Sequence, residues 1–177
     1  MNTSGAALEL RAVDKRFGAT VALTGASFAV AAGSLHMLLG ENGAGKTTLM
    51  RIAAGFTHPD SGEILLDGSA VWWSSRAAAL QAGIAMVEQH FSLVPAMTVA
   101  ENVALAGAPL LSRYASGRAA LHASRIAEAV GLALDAGATV AELPVAAQQR
   151  AEIVKSLASD ASILIMDEPT AVLSPAE

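Results

Sequence analysis

The nine residues GENGAGKTT, at positions 40–48, have the types and spacing of a phosphate-binding loop. Glycine adopts backbone φ values that a side chain would penalise, so successive N–H groups of such a loop can point at phosphate oxygens. Lys46 can then reach the β- and γ-phosphates, and the Thr47 hydroxyl can ligate Mg²⁺. A glycine loop can also join a strand to a helix and bind nothing, but that alternative does not explain a lysine followed by two hydroxyls. The candidate nucleotide ligands are Gly40, Glu41, Asn42, Gly43, Ala44, Gly45, Lys46, Thr47 and Thr48.

A second candidate group follows the apolar run SILIM, where the sequence continues with Asp167 and Glu168. The carboxyl ends of strands are where α/β folds bind ligands. We expect Asp167 to hold Mg²⁺ and Glu168 to orient, or take a proton from, the water that attacks a γ-phosphate. A solvated acidic pair at a strand end is the alternative, and the presence of the phosphate loop argues against it.

Composition limits the remaining classes of function. The 177-residue chain is 53% hydrophobic, has a formal net charge of −5 and contains no cysteine, which excludes disulfides and thiolate chemistry. No run of about 18 apolar residues lacks charges or breaks, and the first residues do not resemble a secretory signal. We therefore expect a cytosolic location, and no basic tract suggests nucleic acid as a partner.

Hydrophobic periodicity predicts the elements that position these residues. It gives an α/β class with a parallel core sheet, an antiparallel β-subdomain at the N-terminus and a helical insertion at roughly 92–150, within one domain of residues 1–177. Strands are predicted in LELRAV, VALTGASFAV with a break at Thr24-Gly25, SLHMLLG, IAMV and SILIM, and a hairpin in GEILLDGS. Helices are predicted from Lys46, in RAAALQ, and at 99–105, 118–130 and 148–158.

These motifs together resemble the nucleotide-binding subunit of ABC transporters over nearly the whole chain. GENGAGKTT resembles the Walker A motif and ILIMDE the Walker B motif, which implies a P-loop ATPase fold with ATP and Mg²⁺ as cofactors and with Lys46 and Glu168 as catalytic residues. Phe17 in DKRFG resembles the aromatic that stacks on adenine, although a core or strand-end phenylalanine is the alternative. Gln89 in MVEQHF resembles the Q-loop glutamine, which implies a role in catalysis and in the Mg²⁺ shell.

Two segments indicate which subgroup of the family the chain resembles. Residues 88–103 and 168–177 resemble the first ATPase half of importers for simple sugars and nucleosides. This implies an ATPase at the cytoplasmic face of the membrane, a second nucleotide-binding half, transmembrane permease subunits and, indirectly, a substrate-binding protein. A regulatory ATP-binding module with little turnover and a non-transport ABC ATPase are the alternatives. The apolar residues of this region form either core or a cradle for a permease helix: Phe91, Leu93, Val94, Met97 and Val99.

Two features depart from the family pattern. The signature loop, which grips the ATP of the partner half, normally reads Leu-Ser-Gly-Gly-Gln, whereas Pro144 here lacks both the hydroxyl and a backbone donor. The degenerate signature comprises Leu143, Pro144, Val145, Ala146, Ala147 and Gln148. None of the histidines occupies the switch position, so we expect a domain that is incomplete at its C-terminus, with a shortened homologue as the alternative.

Overall fold

The computed structural model describes residues 6–88, 91–107 and 116–167. The chain divides into two compact units, Met1–Gln81 and Ala82–Glu177. The first unit consists of an antiparallel sheet and two helices, and it contains the phosphate loop. The second unit consists of a parallel strand pair and three helices, and it contains the segments that resemble Walker B and the signature.

The sheet of the first unit has the strand order β2-β1-β3-β4, with every neighbouring pair antiparallel. Its strands are β1 (Ala6–Phe17), β2 (Thr20–Ala31), β3 (Ser61–Leu66) and β4 (Ser69–Val71). Leu10 and Val13 are both buried although they are three residues apart, because a register irregularity at Ala12 (φ 47°) reverses the alternation. The predicted hairpin is confirmed, and its turn residues Asp67 and Gly68 both have positive φ.

Two helices accompany this sheet. Helix α1 (Lys46–Ala53) buries Leu49, Ile52 and Ala53 on one face, as the periodicity predicts. Helix α2 (Arg76–Gln81) confirms the short helix predicted in RAAALQ. The predicted break in β2 is a shift in its pairing with β1 beside Gly25, and the strand itself continues.

The strand predicted in SLHMLLG is wrong. Residues 34–41 belong to no helix or strand, and Leu35, Met37 and Leu39 are 92%, 77% and 80% exposed. An apolar run suits a buried parallel strand only when other strands supply its hydrogen bonds. Among the residues that the structure describes, no strand pairs with this segment.

The second unit is built around β5 (Ile84–Val87) and β6 (Ile163–Met166), which pair in parallel and confirm two predicted strands. All four residues of β5 are buried, as expected for a strand covered on both faces. Within the described part of the chain, the predicted parallel core sheet is present as this pair.

Helices α3 (Val99–Gly107), α4 (Ser116–Ala129) and α5 (Val145–Leu157) form the rest of the second unit. Their shared core is rich in alanine and valine: Val99, Ala100, Val103, Ala123, Ala127, Val140, Ala151 and Val154. The predicted α5 begins three residues too late, since the helix starts at Val145, directly after its N-cap Pro144. None of the helices in the described residues has the length and hydrophobicity required to span a bilayer.

Candidate functional site

The phosphate loop lies between residues without regular structure and the first turn of α1. Gly43 and Gly45 have φ of 84° and 87°, a region that L side chains rarely adopt. A Cβ on Gly45 would lie 2.6 Å from the Ala22 carbonyl oxygen and 2.7 Å from Leu23 Cδ2, whereas a Cβ on Gly43 would meet nothing within 4 Å. At position 45, both the backbone conformation and the lack of space for a Cβ require glycine. At position 43, only the backbone conformation requires it.

Lys46 folds across this loop. Its Nζ donates to the carbonyl oxygens of Gly40 (2.7 Å) and Glu41 (2.8 Å), which are the first two residues of the motif. The Ala44 amide also donates to the Glu41 carbonyl, at 3.2 Å. These bonds close the loop on itself and hold the ammonium group across it.

The N-terminus of α1 is suited to an anion. Its N-cap Gly45 provides no side-chain cap, the first turn contains no acidic residue, and Thr47 is exposed. A helix N-terminus presents N–H groups that its own backbone cannot satisfy, together with the positive end of the helix dipole. Residues 43–48 thus bring together backbone donors, a helix terminus, an ammonium group and two hydroxyls within one continuous segment.

Phe17 lies at the end of the β1–β2 hairpin and is 51% exposed. This exposure excludes a core phenylalanine, but Phe17 is the last residue of β1, so the alternative of a strand-end phenylalanine fits the structure and the adenine role stays a prediction. Lys15 Nζ is 5.4 Å from the centroid of the Phe17 ring, and Lys15 is itself held by Asp60 at 2.8 Å. An exposed aromatic ring at a hairpin end is available to stack on a planar ligand.

Two aspartates that sequence reasoning missed support this hairpin. The carboxylate of Asp60 accepts hydrogen bonds from Lys15 Nζ and the Arg16 amide, and these contacts lower its pKa from the ordinary value. The carboxylate of Asp14 accepts from the Ser61 hydroxyl (2.6 Å) and the Gly25 amide (2.8 Å), which lowers its pKa in the same way. The turn context HPDSG around Asp60 was the available signal.

In the second unit, Asp167 follows β6 and is only 6% exposed. Its amide donates to the Val87 carbonyl at 3.0 Å, so the end of β6 is fixed to the end of β5. A buried carboxylate at a strand end is an oxygen ligand of the type that Mg²⁺ prefers. Gln89 and Glu168, the other predicted residues of this group, lie outside the described residues and stay predictions. No cluster of three or more acidic or histidine side chains that could hold a metal occurs among the described residues.

The residues aligned with the signature form the N-terminus of α5. Pro144 is its N-cap, with φ −62° and ψ 156° and no side-chain cap. Ala146 and Ala147 are 6% and 8% exposed, so their methyl groups pack inward, while Val145 is 46% exposed. Leu143 packs against the helical core and accepts a hydrogen bond at its carbonyl from Gln148 Nε2 at 2.9 Å. The helix terminus is present, but the hydroxyl of a Ser cap is replaced by a proline ring.

A buried acid on α5 also escaped prediction. Glu152 is 4% exposed, and its carboxylate accepts a hydrogen bond from the Ser92 amide. Lys155, one turn further along, donates to the Ser92 carbonyl (2.9 Å) and hydroxyl (2.8 Å) and lies 3.9 Å from Glu152. An acid and a base three residues apart beside the buried face of a helix were the sequence signal.

Comparison with known proteins agrees with the motifs. The sequence model of the family described as "ABC transporter" matches residues 23–171. The ribose import ATP-binding protein RbsA 1 of Rubrobacter xylanophilus is 48% identical over 174 residues, which are 96% of this chain and 34% of that protein. The arabinose import ATP-binding protein AraG 1 of Burkholderia ambifaria is 43% identical over 173 residues, 97% of this chain and 34% of that protein. The chain thus spans about a third of the length of the curated relatives that it matches.

Solved structures give the same result for the fold. The ADP conformation of MJ1267, an ATP-binding cassette of an ABC transporter, matches with a TM-score of 0.81 and 26% identity, covering 97% of this chain and 72% of that one. CbiO1 from Clostridium perfringens, part of the ABC transporter complex cbiONQ, matches with a TM-score of 0.79 and 25% identity, covering 97% and 69%. From the phosphate loop, the family match and the fold together, the chain belongs to the ABC transporter family and has its α/β ATP-binding cassette fold.

Proposed function

We propose that this chain binds and hydrolyses ATP and thereby energises import of a simple sugar across the cytoplasmic membrane. The observation that carries the proposal is the loop at 40–48. Its two positive-φ glycines, its uncapped helix N-terminus and its folded-back lysine together make a built anion site. The names of the relatives, which are import ATP-binding proteins for ribose and arabinose, support the class of solute.

The described residues of the first unit would provide most of the contacts with ATP. Amides of residues 43–48 would donate to the phosphate oxygens, and an incoming phosphate would replace the carbonyl acceptors of Lys46 with charged ones. Charge-assisted bonds are stronger than neutral ones, so the lysine gains by the exchange. Phe17, exposed at the end of its hairpin, would stack on the adenine ring.

Four residues are proposed to share the hydrolytic roles. The Thr47 hydroxyl and the Asp167 carboxylate are the oxygen ligands that would hold Mg²⁺, and Gln89 is proposed to join them. The bound ion supplies positive charge that offsets the negative charge developing on the phosphates. Glu168 is proposed to orient the attacking water and accept its proton.

The remaining partners follow from the transport role. We propose a second nucleotide-binding half, fused or separate, whose ATP is gripped by the signature segment of this chain, together with transmembrane permease subunits that the cassette contacts from the cytoplasmic face. A substrate-binding protein would act on the permease and reach this chain only indirectly. Ribose is the first solute to test, because it stands in the names of several relatives.

One observation favours a second function, an ATP-binding regulatory module with little turnover. Pro144 occupies the N-cap of α5, and Ala146 and Ala147 are buried. The segment therefore offers a partner's γ-phosphate neither a cap hydroxyl nor glycine flexibility. Nucleotide binding without hydrolysis, even in the presence of a partner half, would support this module over the transport ATPase.

The transport proposal is tested by uptake of labelled ribose into vesicles that contain the full-length complex. Lys46→Ala should abolish ATP-dependent uptake, and Arg51→Ala, which removes a positive charge from the last turn of the same helix, should not. Uptake that is unchanged by Lys46→Ala would exclude this nucleotide site as the driver of import.

A further inference from the structure

Asn42 and Gly43, within the phosphate loop, form the one Asn-Gly pair of the chain. The side-chain amide carbon of an asparagine lies within reach of the main-chain nitrogen of the next residue, and a bond between them closes a five-membered succinimide ring. A following glycine has no Cβ to hinder this approach. Asparagine is for this reason among the thermolabile residues, above all before glycine. A pair that can react thus lies inside the segment that is suited to phosphate.

The backbone around this pair is a β-turn with both residues at its centre. The Ala44 amide donates to the Glu41 carbonyl at 3.2 Å, and Gly43, the third residue of the turn, has a φ of 84°. These are features of a type II turn, in which the amide of the third residue takes no part in the closing hydrogen bond. Among the described residues, the Gly43 amide has no acceptor and the Asn42 side chain has no hydrogen-bond partner. The two groups that would form the ring are therefore not engaged elsewhere.

Space and charge in the loop also favour ring closure. Asn42 and Gly43 are exposed, and a Cβ at Gly43 would meet nothing within 4 Å, so the peptide group between them has room to rotate. The attacking nitrogen carries negative charge once it loses its proton. Lys46, whose ammonium group is 2.8 Å from the Glu41 carbonyl oxygen, and the N-terminus of α1 stabilise negative charge in this loop. The exposed carboxylate of Glu41 is the one opposing charge within residues 40–48.

We infer that Asn42 is a self-modification site, at which the loop loses ammonia and acquires aspartate or isoaspartate. The Gly43 nitrogen forms a bond to Cγ of Asn42, the bond between Cγ and Nδ2 breaks, and the Gly43 proton leaves with Nδ2 as ammonia. Water then adds to either carbonyl of the ring. Opening at Cγ gives aspartate, and opening at the main-chain carbonyl carbon gives isoaspartate, whose main chain runs through Cγ. The net change is loss of ammonia and gain of water, so the reaction requires no oxidant or reductant.

Asn102 provides an internal control, because its surroundings prevent the same reaction. It lies within α3, is 1% exposed, and its side-chain amide donates to the carbonyls of Val94 (3.1 Å) and Thr98 (3.0 Å). The next residue is the β-branched Val103, which belongs to the same helix. Both groups that would form the ring are held in place, so Asn102 should stay intact.

Either product would weaken phosphate binding by the loop. Aspartate adds a negative charge beside the bound anion, and isoaspartate adds one atom to the main chain between Glu41 and Gly43. The contacts of Lys46 with the carbonyls of Gly40 and Glu41 depend on the length of this main chain. A bound phosphate would have the opposite effect, because it would accept from the Gly43 amide and so withdraw the attacking nitrogen. This protective effect rests on the proposed function, whereas the modification itself does not.

The test follows the mass of the tryptic peptide 17–46, which contains Asn42, while the full-length protein is kept without nucleotide at neutral and mildly alkaline pH. We expect a gain of one dalton that increases with time and is faster at the higher pH, because the attacking nitrogen must lose its proton. Chromatography should separate an aspartyl and an isoaspartyl product, and the peptide that contains Asn102 should keep its mass. An unchanged mass at Asn42, while a synthetic peptide of residues 40–46 is fully converted, would overturn the inference. An aspartyl product alone would overturn the succinimide step.

Two variants test whether the neighbouring nitrogen is the attacking group. Asn42→Gln would have to close a larger ring and should lose no ammonia at this position over the same period. Gly43→Ala places a Cβ beside the attacking nitrogen and should convert much more slowly than the wild type, whether or not the loop keeps its fold. Conversion of Gly43→Ala at the wild-type rate would contradict attack by this nitrogen.

A non-hydrolysable ATP analogue tests the protective effect separately. At about 100 times its dissociation constant it should slow the conversion of Asn42 by about 100-fold, because only the unbound fraction reacts. The same concentration should protect Lys46→Ala much less, since that variant binds the phosphates more weakly. Conversion that the analogue does not slow in the wild type would count against the proposed function and leave the modification site in place.

Discussion

At the scale of single residues, the two positive-φ glycines of the phosphate loop offer a matched comparison. Gly43→Ala should cost about 1–2 kcal/mol, the penalty for a side chain in the left-handed region. Gly45→Ala carries the same penalty plus a steric conflict with the Ala22 carbonyl and Leu23, for which overpacking adds about 1–3 kcal/mol. In thermal unfolding, the melting temperature of Gly45→Ala should therefore be clearly lower than that of Gly43→Ala. Equal melting temperatures would mean that the close packing around Gly45 does not constrain the loop.

Phe17 is the residue whose role depends most on exposure. Phe17→Ala should weaken ATP binding by about 1–3 kcal/mol, since that is the usual contribution of one base stacked on an aromatic ring. Phe17→Tyr retains the ring and should bind ATP nearly as the wild type does. Titration with a fluorescent ATP analogue measures both. If removal of the ring left the dissociation constant unchanged, the nucleotide base would have to lie elsewhere.

At the scale of elements, the β1–β2 hairpin depends on ionised Asp60. Because contacts with Lys15 and the Arg16 amide lower the pKa of this carboxyl group, its contribution to stability is complete above the ordinary aspartate pKa and is lost as the pH falls through the lowered value. Asp60→Asn should therefore be less stable than the wild type at neutral pH, and the difference should shrink in acid. Urea unfolding of both proteins at a series of pH values, from neutral to acid, measures this difference in the free energy of unfolding. A difference that stayed constant with pH would show that the charge of Asp60 contributes nothing.

The N-terminus of α5 provides the second prediction for an element. Pro144→Ser adds a cap hydroxyl worth about 0.5–2 kcal/mol, while loss of the proline ring costs about 0.4–1 kcal/mol through the unfolded state. Stability should thus change little, but under the proposed function ATP turnover in the full-length protein should rise, because the added hydroxyl would face the nucleotide of the partner half. Pro144→Ala removes the ring without adding a hydroxyl and is the control. Equal turnover in the two variants would show that the serine position of the signature is not what limits hydrolysis.

How far the elements could be predicted depended on the range of the interactions that form them. The helix from Lys46, the Asp67-Gly68 hairpin and the short strands β5 and β6 follow from local periodicity and turn chemistry, and the structure confirms them. The apolar run at 34–40 has strand propensity as well, but a parallel strand forms only when distant strands pair with it. The start of α5 was predicted at residue 148, whereas the helix begins at Val145, directly after Pro144 at the N-cap.

At the scale of the whole molecule, the site could be predicted where one segment carries a complete motif. The prediction from residues 40–48 needed no tertiary information, and the positive-φ glycines and the position of Lys46 across the loop are compatible with phosphate binding. Asp60, Asn102 and Glu152 were missed because each acts on a backbone group 8 to 60 residues away in sequence. Such long-range hydrogen bonds cannot be predicted from neighbouring residues, because the sequence around a buried acid or amide is the same whether or not a distant backbone group bonds to it.

The central claim is that ATP binds at the loop of this chain, with its base beside Phe17 and its phosphates at Lys46. The most direct test is photolabelling of the full-length protein with azido-ATP, followed by identification of the labelled peptide. We predict labelling of the peptide that contains Phe17, a reduction of about 10- to 100-fold in Lys46→Ala through loss of a charged hydrogen bond, and no change in Arg51→Ala. Labelling of that peptide that survives Lys46→Ala undiminished, or label found only elsewhere in residues 1–177, would contradict the account.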